Sequence, residues 1–310
     1  MSGLIDQLAK VSEIWLDPHH PLRLETVEAL QVSTGFNRRQ IEMALTNCFE
    51  ELSFPKITAY VASFAQGKRN VIDVFHVLPS NAFTAWVHSA VITLLLGHRA
   101  LLKPSTREPV FARAWKKSLD QVDSDLSGRV DITAWDEDKL RNATAVIAYG
   151  SDETLQKIRS RLSPETRFAG YGHKLSVAII FEEALQDSSP DRLLANIQKD
   201  AEPFRLQGCL SPQILYVQHP GTIRWPELEA VLDVPPRVRP FDDWDVLAQE
   251  LRKYTPYLSC VGYAGAPEQE PFLVQELEPY HVTRVCPLGQ MQRPPLSWQN
   301  GGINLVNLLN

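Results

Sequence analysis

The sequence has 310 residues, of which 44% are apolar and 22% charged, a composition typical of a folded globular protein rather than a disordered one. This length corresponds to about two domains. The formal net charge is -6 and no stretch is densely basic, so nucleic acid is not an expected partner.

Neither a membrane anchor nor an export signal is predicted. The longest apolar run, residues 90–97, is far shorter than the roughly 20 residues that span a bilayer. The N-terminal sequence MSGLIDQLAK lacks the basic-then-apolar pattern of a signal peptide. We therefore expect a soluble, cytoplasmic protein with no membrane partner.

Residues 1–65 are predicted to be helical. Asn37 opens the stretch NRRQIEMALTNCFEELSF, in which apolar residues recur at the three- and four-residue spacing of an amphipathic helix. Residues 66–172 instead alternate between strands and helices. The strands are VIDVFHVLP, HRALLKPS, RVDITAW and ATAVIAYGS, and helices such as VHSAVITLLLG and DETLQKIRSRL lie between or after them. This order predicts a parallel sheet covered on both faces.

Residues 173–310 are predicted to form a second, smaller α/β domain. Its strands are SVAIIF, ILYV and LSCVGYAG, and its helices are residues 190–201 and DDWDVLAQELRKY, the latter capped by Asp242 or Asp243. The loop QGCLSPQ precedes the second of these strands, and a Pro- and Gly-rich tail closes the sequence. The predicted fold class is therefore α/β, with two domains and a helical N-terminal segment.

Cys209 is the best candidate for a nucleophile among the four cysteines. Cys48 lies on the apolar face of a predicted helix and Cys260 lies inside a predicted strand, positions typical of buried thiols. Cys286 precedes a proline at a strand end. Cys209 follows Gly208 in a loop, where a thiol is accessible for reaction. The cysteines are widely separated and form no CxxC pair, so neither a metal site nor a disulfide framework is predicted.

Four further residues follow strands in the first α/β domain, where open parallel sheets bind ligands. Lys103 ends the strand of LLKPS, and a lysine there can bind a ribose hydroxyl or a phosphate; alternatively it is an ordinary surface lysine. Gly150 and Ser151 join a strand to a helix, a geometry that suits a phosphate. Asn81 can donate to an oxyanion or cap a helix beginning near residue 83. No GxGxxG or P-loop motif occurs.

The order of the motifs resembles a known superfamily. The motifs are LPSNAF, LLKPSTREP, AYGS, FAGYGHKLSVAII, QGCLSPQ and RPFDDWDVLAQELRKYTPYLSCVGYAG. Together they resemble the aldehyde dehydrogenase superfamily, and most closely its acyl-CoA reductase branch, the LuxC family of bacterial luminescence. The motifs QGCLSPQ and GYGHKLS carry the narrower resemblance, which covers roughly residues 30 to 300. The resemblance therefore implies an aldehyde-dehydrogenase-like fold, with a Rossmann-type nucleotide-binding domain over residues 66–172. Residues 173–310 would then form a trimmed α/β catalytic domain that carries the nucleophilic cysteine.

The resemblance implies roles for several of these residues. Cys209 takes the place of the superfamily's nucleophile, and Asn81 together with the Cys209 backbone N–H takes that of the oxyanion hole. Lys103 would contact the adenosine ribose of the cofactor. Gly150 and Ser151 would lie near its phosphates.

The same resemblance bears on the choice of cofactor. Lys103 is followed by Ser105, Thr106 and Arg107, and Thr106 stands where NAD-preferring relatives have an acidic residue. Without that charge, and with Arg107 as a partner for a 2'-phosphate, NADPH is the expected cofactor and NADH the alternative. In the competing interpretation, Thr106 only caps the helix that starts near Glu108, and Arg107 points into solvent.

Two departures from the superfamily pattern matter. Hydrolytic members have a glutamate ahead of a Gly-Gly-Lys motif, whereas the stretch here is AGYGHK, without a carboxylate. Glu229, only 20 residues after Cys209, is the best counterpart of the glutamate near the nicotinamide ribose, so part of the catalytic domain is expected to be trimmed. His173 is a candidate proton shuttle or a structural histidine.

The resemblance predicts an acyl-CoA reductase that forms an aldehyde from acyl-CoA or another acyl thioester through a covalent Cys209 intermediate. One alternative is a non-catalytic or acyl-carrying subunit of a reductase complex. Another is an NAD-dependent aldehyde dehydrogenase, which the missing glutamate disfavours. The resemblance is compatible with a homodimer or with a complex with a partner subunit, and the sequence does not distinguish between them.

Overall fold

The computed structural model describes residues 2–64, 67, 70–187, 190–219 and 232–310. The chain divides into two compact units. Unit 1 comprises Met1–Gly172, Pro295–Gln299 and Ile303–Asn310, and unit 2 comprises His173–Pro294 and Asn300–Gly302. Within the described residues each unit is built around one five-stranded parallel sheet.

The described residues before the first sheet are largely helical, as the sequence predicts. Their helices are α1 Ser2–Leu16, α2 Pro21–Thr34, α3 Arg38–Phe49 and α4 Phe54–Ala62. A capping box between Asn37 and Gln40 begins α3, because each side chain bonds the other residue's backbone N–H. Buried side chains of these helices contribute to an aromatic cluster, in which Trp15 stacks on Phe49 with ring centroids 5.6 Å apart. Phe111 meets Trp15 edge-on at 5.2 Å. The cluster therefore joins the N-terminal helices to the sheet-forming part of unit 1.

The sheet of unit 1 has the strand order β3-β2-β1-β4-β5. Its strands are β1 Asp73–Val77, β2 Arg99–Lys103, β3 Val130–Ile132, β4 Ala145–Tyr149 and β5 Arg167–Tyr171. The helices between them are α5 Val87–Leu95, α6 Val110–Val122, α7 Ser124–Ser127, α8 Glu137–Arg141 and α9 Asp152–Arg159. The order reverses between β1 and β4, so a ligand crevice is expected at the carboxyl ends of these strands. Residues that follow β1, β2 and β4 are therefore the ones positioned for binding.

The sheet of unit 2 has the order β10-β9-β6-β7-β8. Its strands are β6 Leu175–Ile180, β7 Pro212–Gln218, β8 Arg237–Phe241, β9 Leu258–Ala264 and β10 Arg284–Pro287. The helices are α10 Glu182–Asp187, α11 Pro190–Ala201, α12 Trp244–Arg252 and α13 Gln269–Leu277. Asp243 caps α12 by accepting a hydrogen bond from the Asp245 N–H. The predicted α/β class with parallel sheets is confirmed.

The last helix, α14 Leu305–Leu309, belongs to unit 1. The Leu309 carbonyl oxygen lies 3.1 Å from His98 Nε2 and accepts a hydrogen bond from Arg167 at 3.2 Å. Three side chains of α14 are buried: Leu305, Val306 and Leu309. No helix in the described ranges is long and apolar enough to cross a membrane.

Candidate functional site

Cys209 lies in a short loop that ends where β7 begins, as the sequence predicts. A 3-10 turn, Pro203–Leu206, comes before this loop. Cys209 keeps part of its surface exposed, whereas Cys48, Cys260 and Cys286 are buried. Cys209 is thus the accessible thiol among the four, and we call residues 207–211 the nucleophile loop.

The backbone ahead of the nucleophile loop is strained. Phe204, Arg205 and Leu206 have φ angles of 59°, 50° and 59°, so three consecutive non-glycine residues are in the left-handed region. Each costs of order 1–2 kcal/mol and is retained only where surrounding contacts hold it. Gly208 also fits a tight space, since a Cβ there would lie 3.3 Å from both the Phe204 ring and Ser211 Oγ.

Two glutamine side chains hold the chain on either side of Cys209. Gln213 Nε2 donates to the Leu206 carbonyl at 3.2 Å. Gln292 Nε2 donates to Ser211 Oγ at 2.9 Å, and both residues of this pair are buried. These contacts fix the two ends of the nucleophile loop.

Asp200 extends this network into the loop formed by residues 287–294. Its carboxylate accepts hydrogen bonds from the backbone N–H groups of Gly289 at 2.5 Å and Met291 at 2.9 Å. Gln292 Nε2 also donates to the Asp200 carbonyl at 2.8 Å. Burial raises the pKa of the Asp200 carboxyl to about 7, although these N–H groups and the charge of Arg284 lower it. Asp200 is not evident as a functional residue from the sequence, because a carboxylate near a helix end is ordinarily solvated.

Burial raises the pKa of the Cys209 thiol to about 11, an effect that its own backbone N–H and the positive charge of Lys174 partly offset. Lys174 Nζ donates to the Pro256 carbonyl at 3.1 Å, which holds the ammonium group in place. In the isolated chain the thiol is therefore protonated at neutral pH, and Lys174 is the charged group that favours the thiolate. In the sequence, Lys174 is notable only as part of the GYGHKLS motif.

His173 is exposed, and its ring meets the ring of Tyr257 edge-on with centroids 6.2 Å apart. Its roles as a proton shuttle or as a structural histidine both remain predictions. Glu229 lies in residues 220–231, outside the described residues.

Asn81 lies in an exposed bend four residues after β1. The following helix, α5, begins at Val87 rather than near residue 83. Turns with Ala85 N–H bonded to Ala82 O and Val87 N–H bonded to Thr84 O, both at 3.0 Å, fill the interval. Asn81 therefore does not cap α5, and its oxyanion role remains a prediction.

Lys103 is the last residue of β2, and its ammonium group lies 5.9 Å from the centroid of the Trp135 ring. Arg161 approaches the same ring at 5.7 Å and pairs with Glu137 at 2.6 Å. Trp135 Nε1 donates to Glu137 Oε1 at 2.8 Å. Lys103 is thus positioned over an aromatic face at the carboxyl edge of the sheet. The sequence does not identify Trp135 as a neighbour of Lys103, because a tryptophan that follows a strand is ordinarily a core residue.

Thr106 does not cap α6, contrary to the competing interpretation. The Glu108 carboxylate caps this helix by accepting from the N–H groups of Val110 at 2.8 Å and Phe111 at 2.9 Å. Thr106 and Arg107 are exposed, and Ser105 Oγ accepts from the Arg107 N–H at 3.2 Å. The short loop after Lys103 therefore presents two side chains that have no role in beginning the helix.

Gly150 and Ser151 join β4 to α9. The Gly150 N–H donates to the Tyr171 carbonyl at 3.2 Å, and Ser151 Oγ caps the helix by accepting from the Thr154 N–H at 3.2 Å. The first turn of α9 carries the carboxylates of Asp152 and Glu153. These negative charges oppose binding of a phosphate at that helix N-terminus. The Ser151 turn is therefore poorly suited to an anion, and the predicted roles of Gly150, Ser151 and Lys103 in cofactor binding remain predictions.

Comparison with known proteins identifies the family. The family model for Acyl-CoA reductase (LuxC) matches residues 4–234. A long-chain acyl-protein thioester reductase of Aliivibrio fischeri is 21% identical over 244 residues, which cover 70% of this chain and 50% of that relative. The chain thus spans about half the length of this curated relative.

Solved structures share the fold. An oxidoreductase from Marinobacter aquaeolei has a TM-score of 0.69 at 12% identity, covering 93% of this chain and 78% of that one. An aldehyde dehydrogenase from Brucella melitensis biovar abortus 2308 has a TM-score of 0.67 at 11% identity, with coverages of 91% and 76%. The resemblance read from the sequence motifs is confirmed: the chain belongs to the LuxC acyl-CoA reductase family of oxidoreductases, and its fold is that of the aldehyde dehydrogenase superfamily.

Proposed function

We propose that the protein reduces an acyl thioester to an aldehyde through a covalent acyl-enzyme on Cys209, with NADPH as the reductant. The observation that carries this proposal is that Cys209 is the accessible thiol of a LuxC-family chain and lies on a loop held at both ends. A nucleophile needs both access and fixed geometry.

In the proposed reaction the Cys209 sulfur forms a bond to the thioester carbonyl carbon, and the bond from that carbon to the sulfur of the leaving group breaks. The leaving thiolate takes up the proton that the Cys209 thiol releases, and His173 is the proposed carrier of this proton. Lys174 favours the thiolate by its charge. The Asn81 side-chain amide and the Cys209 backbone N–H would donate to the developing oxyanion.

Water is not a proposed reactant. No carboxylate stands at Ala169, Gly170 or Tyr171, the positions ahead of Gly172-His173-Lys174, where a water-activating glutamate would be needed. The acyl-enzyme would therefore persist until it is reduced, which disfavours the hydrolytic aldehyde dehydrogenase.

The residues present at the Lys103 loop fit nicotinamide adenine dinucleotide phosphate. Lys103 is available to a ribose hydroxyl, and Thr106 and Arg107 are exposed without a carboxylate at position 106. When bound, this cofactor supplies the hydride. The proposed preference for NADPH over NADH rests on the charge at position 106, since a carboxylate there would repel a 2'-phosphate.

The cofactor proposal is tested by comparing kcat/KM for NADPH and NADH. Thr106→Glu is expected to shift the ratio toward NADH by about 1–3 kcal/mol, the scale of a charge-assisted contact. Thr58→Glu, at an exposed position on α4, is the control. The proposal is contradicted if the wild type prefers NADH and Thr106→Glu does not change that preference. The 2' position of the cofactor's ribose would then lie away from residue 106.

The main experiment incubates the protein with acyl-CoA, or with an acyl-carrier-protein thioester, and NADPH. Aldehyde formation with equal NADPH consumption, lost in Cys209→Ala and kept in Cys48→Ala, is the expected result. A stable acyl-enzyme without NADPH oxidation would instead support an acyl-carrying subunit. Absence of acylation from either donor would contradict the proposal.

A further inference from the structure

Ser176 occupies an irregular point in the sheet of unit 2. Against β9, the register passes from Leu175 opposite Leu258 to Val177 opposite Val261, so β9 has one extra residue beside Ser176. Against β7, it passes from Ser176 opposite Pro212 to Val177 opposite Ile214, so β7 also has an extra residue there. Ser176 thus lies between two β-bulges, which leave backbone groups outside the regular ladder and are frequent next to active sites.

The Ser176 hydroxyl bonds both neighbouring segments. Ser176 is fully buried, and its Oγ donates to the Cys209 carbonyl oxygen at 2.5 Å. The same oxygen accepts from the Cys260 N–H at 3.2 Å. A hydroxyl has one proton to donate and lone pairs to accept with, so both bonds can form together.

This contact differs from the other anchors of the nucleophile loop. The two glutamines bond Leu206 and Ser211, on either side of Cys209, whereas Ser176 bonds the peptide group of Cys209 itself. The loop follows three left-handed residues, a conformation that does not persist without such restraints. Without the Ser176 hydroxyl, the peptide that carries the nucleophile would lose its direct restraint.

We propose that Ser176 is a positioning residue that holds the Cys209 peptide so that the thiol and its backbone N–H face the substrate carbonyl together. This inference rests on the proposed role of Cys209 as the nucleophile. The competing explanation is purely structural: the hydroxyl only satisfies a buried carbonyl and a buried N–H, as any internal serine does.

The test compares Ser176→Ala with Ser259→Ala. Ser259 is a matched control because it is also a buried serine, on β9 next to Cys260. The Ser259 hydroxyl has no hydrogen-bond partner. Three properties are measured for each: thermal unfolding, the pH profile of Cys209 alkylation by iodoacetamide, and kcat and KM for acyl transfer. Alkylation needs no substrate, so it reports on the loop even if the proposed activity fails.

Ser176→Ala is expected to lower kcat for acyl transfer on the order of a hundredfold while KM changes little, because a small misplacement of a nucleophile has effects of this size. The freed thiol is also expected to be less buried, so alkylation becomes faster and its profile moves to lower pH. Ser176→Thr, which keeps the hydroxyl, should restore kcat. Ser259→Ala should leave kcat and the alkylation profile unchanged.

Equal alkylation profiles for Ser176→Ala and Ser259→Ala would overturn the proposal and leave Ser176 a structural residue. A changed profile in a protein whose wild type forms no acyl-enzyme would support the positioning role and refute the proposed function. If Ser176→Ala does not fold, Ser176→Cys, which replaces one atom, is measured in the same way, and an unchanged profile there contradicts the inference.

Discussion

Accessibility distinguishes Cys209 from the other three cysteines. Burial raises the pKa of Cys48 and Cys260 as well as that of Cys209. Cys209 is partly exposed whereas the other three are buried, and Lys174 lowers its pKa. The reactivity of this thiol therefore depends on its loop and on one positive charge nearby.

Replacing Lys174 by Met is expected to slow alkylation of Cys209 several-fold at a fixed pH below 10, because loss of the positive charge raises the thiol pKa further. In both proteins the rate should rise about tenfold for each pH unit until it approaches the pKa, which is about 11 in the wild type. The rate is measured by mass spectrometry. Lys199→Met, at an exposed lysine of α11, is the control, and an equal effect of both changes would contradict the assignment.

At the scale of elements, the sequence predicted the central strands and missed two edge strands. The central strands β1, β4, β6 and β9 are buried at almost every position, because both faces of a parallel sheet are covered. The missed strands β5 and β8 each end a sheet. They contain residues that usually interrupt a strand, such as Gly170 and Pro240, but an edge strand tolerates them.

The beginning of α6 depends on Glu108 rather than on Thr106. Glu108→Ala is expected to lower the free energy of unfolding by about 1 kcal/mol, because two N–H groups of the first turn lose their acceptor. Thr106→Ala is expected to change it by less than about 0.5 kcal/mol. Urea denaturation measures both, and a larger effect at Thr106 would refute the assignment of the cap.

Asp200 links α11 to the loop of residues 287–294 and gives stability a pH dependence. Its folded-state pKa of about 7 lies above its ordinary value of 3.8, so the folded chain retains a proton that the unfolded chain has lost between these two values. The contribution to stability is therefore complete below pH 3.8 and is lost as the pH rises through 7.

Replacing Asp200 by Asn removes this titration. The difference in unfolding free energy, wild type minus variant, is expected to fall by up to about 4 kcal/mol between pH 4 and 8. Urea denaturation across this range measures it, with Asp191→Asn, at an exposed position on the same helix, as the control. A difference that does not vary with pH would contradict the predicted titration.

At the scale of the whole molecule, the two sheets share one topology. Counted from the first strand of each unit, both have the order 3-2-1-4-5. The sequence shows no corresponding internal repeat, because the same topology can be built from many apolar patterns. The chain also returns to unit 1 after unit 2, through α14.

Helix α14, in which the chain returns to unit 1, contributes to the core of that unit. Leu309→Ala is expected to lower the free energy of unfolding by about 2 kcal/mol or more, since the side chain is 1% exposed and its removal leaves a cavity. Val32→Ala, at a side chain that is 89% exposed, should have almost no effect. Equal effects of the two substitutions would show that α14 contributes little to the core.

The sequence by itself determined the α/β class, the helical N-terminal segment, the family and the choice of Cys209, because these depend on local periodicity and on motifs that are contiguous in the chain. Only the tertiary structure identified Ser176, Gln292 and Asp200 as supports of the nucleophile loop. These residues lie between 9 and 83 positions from Cys209 in the chain, and sheet pairing and burial bring them to it. Likewise, Glu108 rather than Thr106 caps α6 because the first helical residue is Val110, a boundary that periodicity locates only to within about two residues.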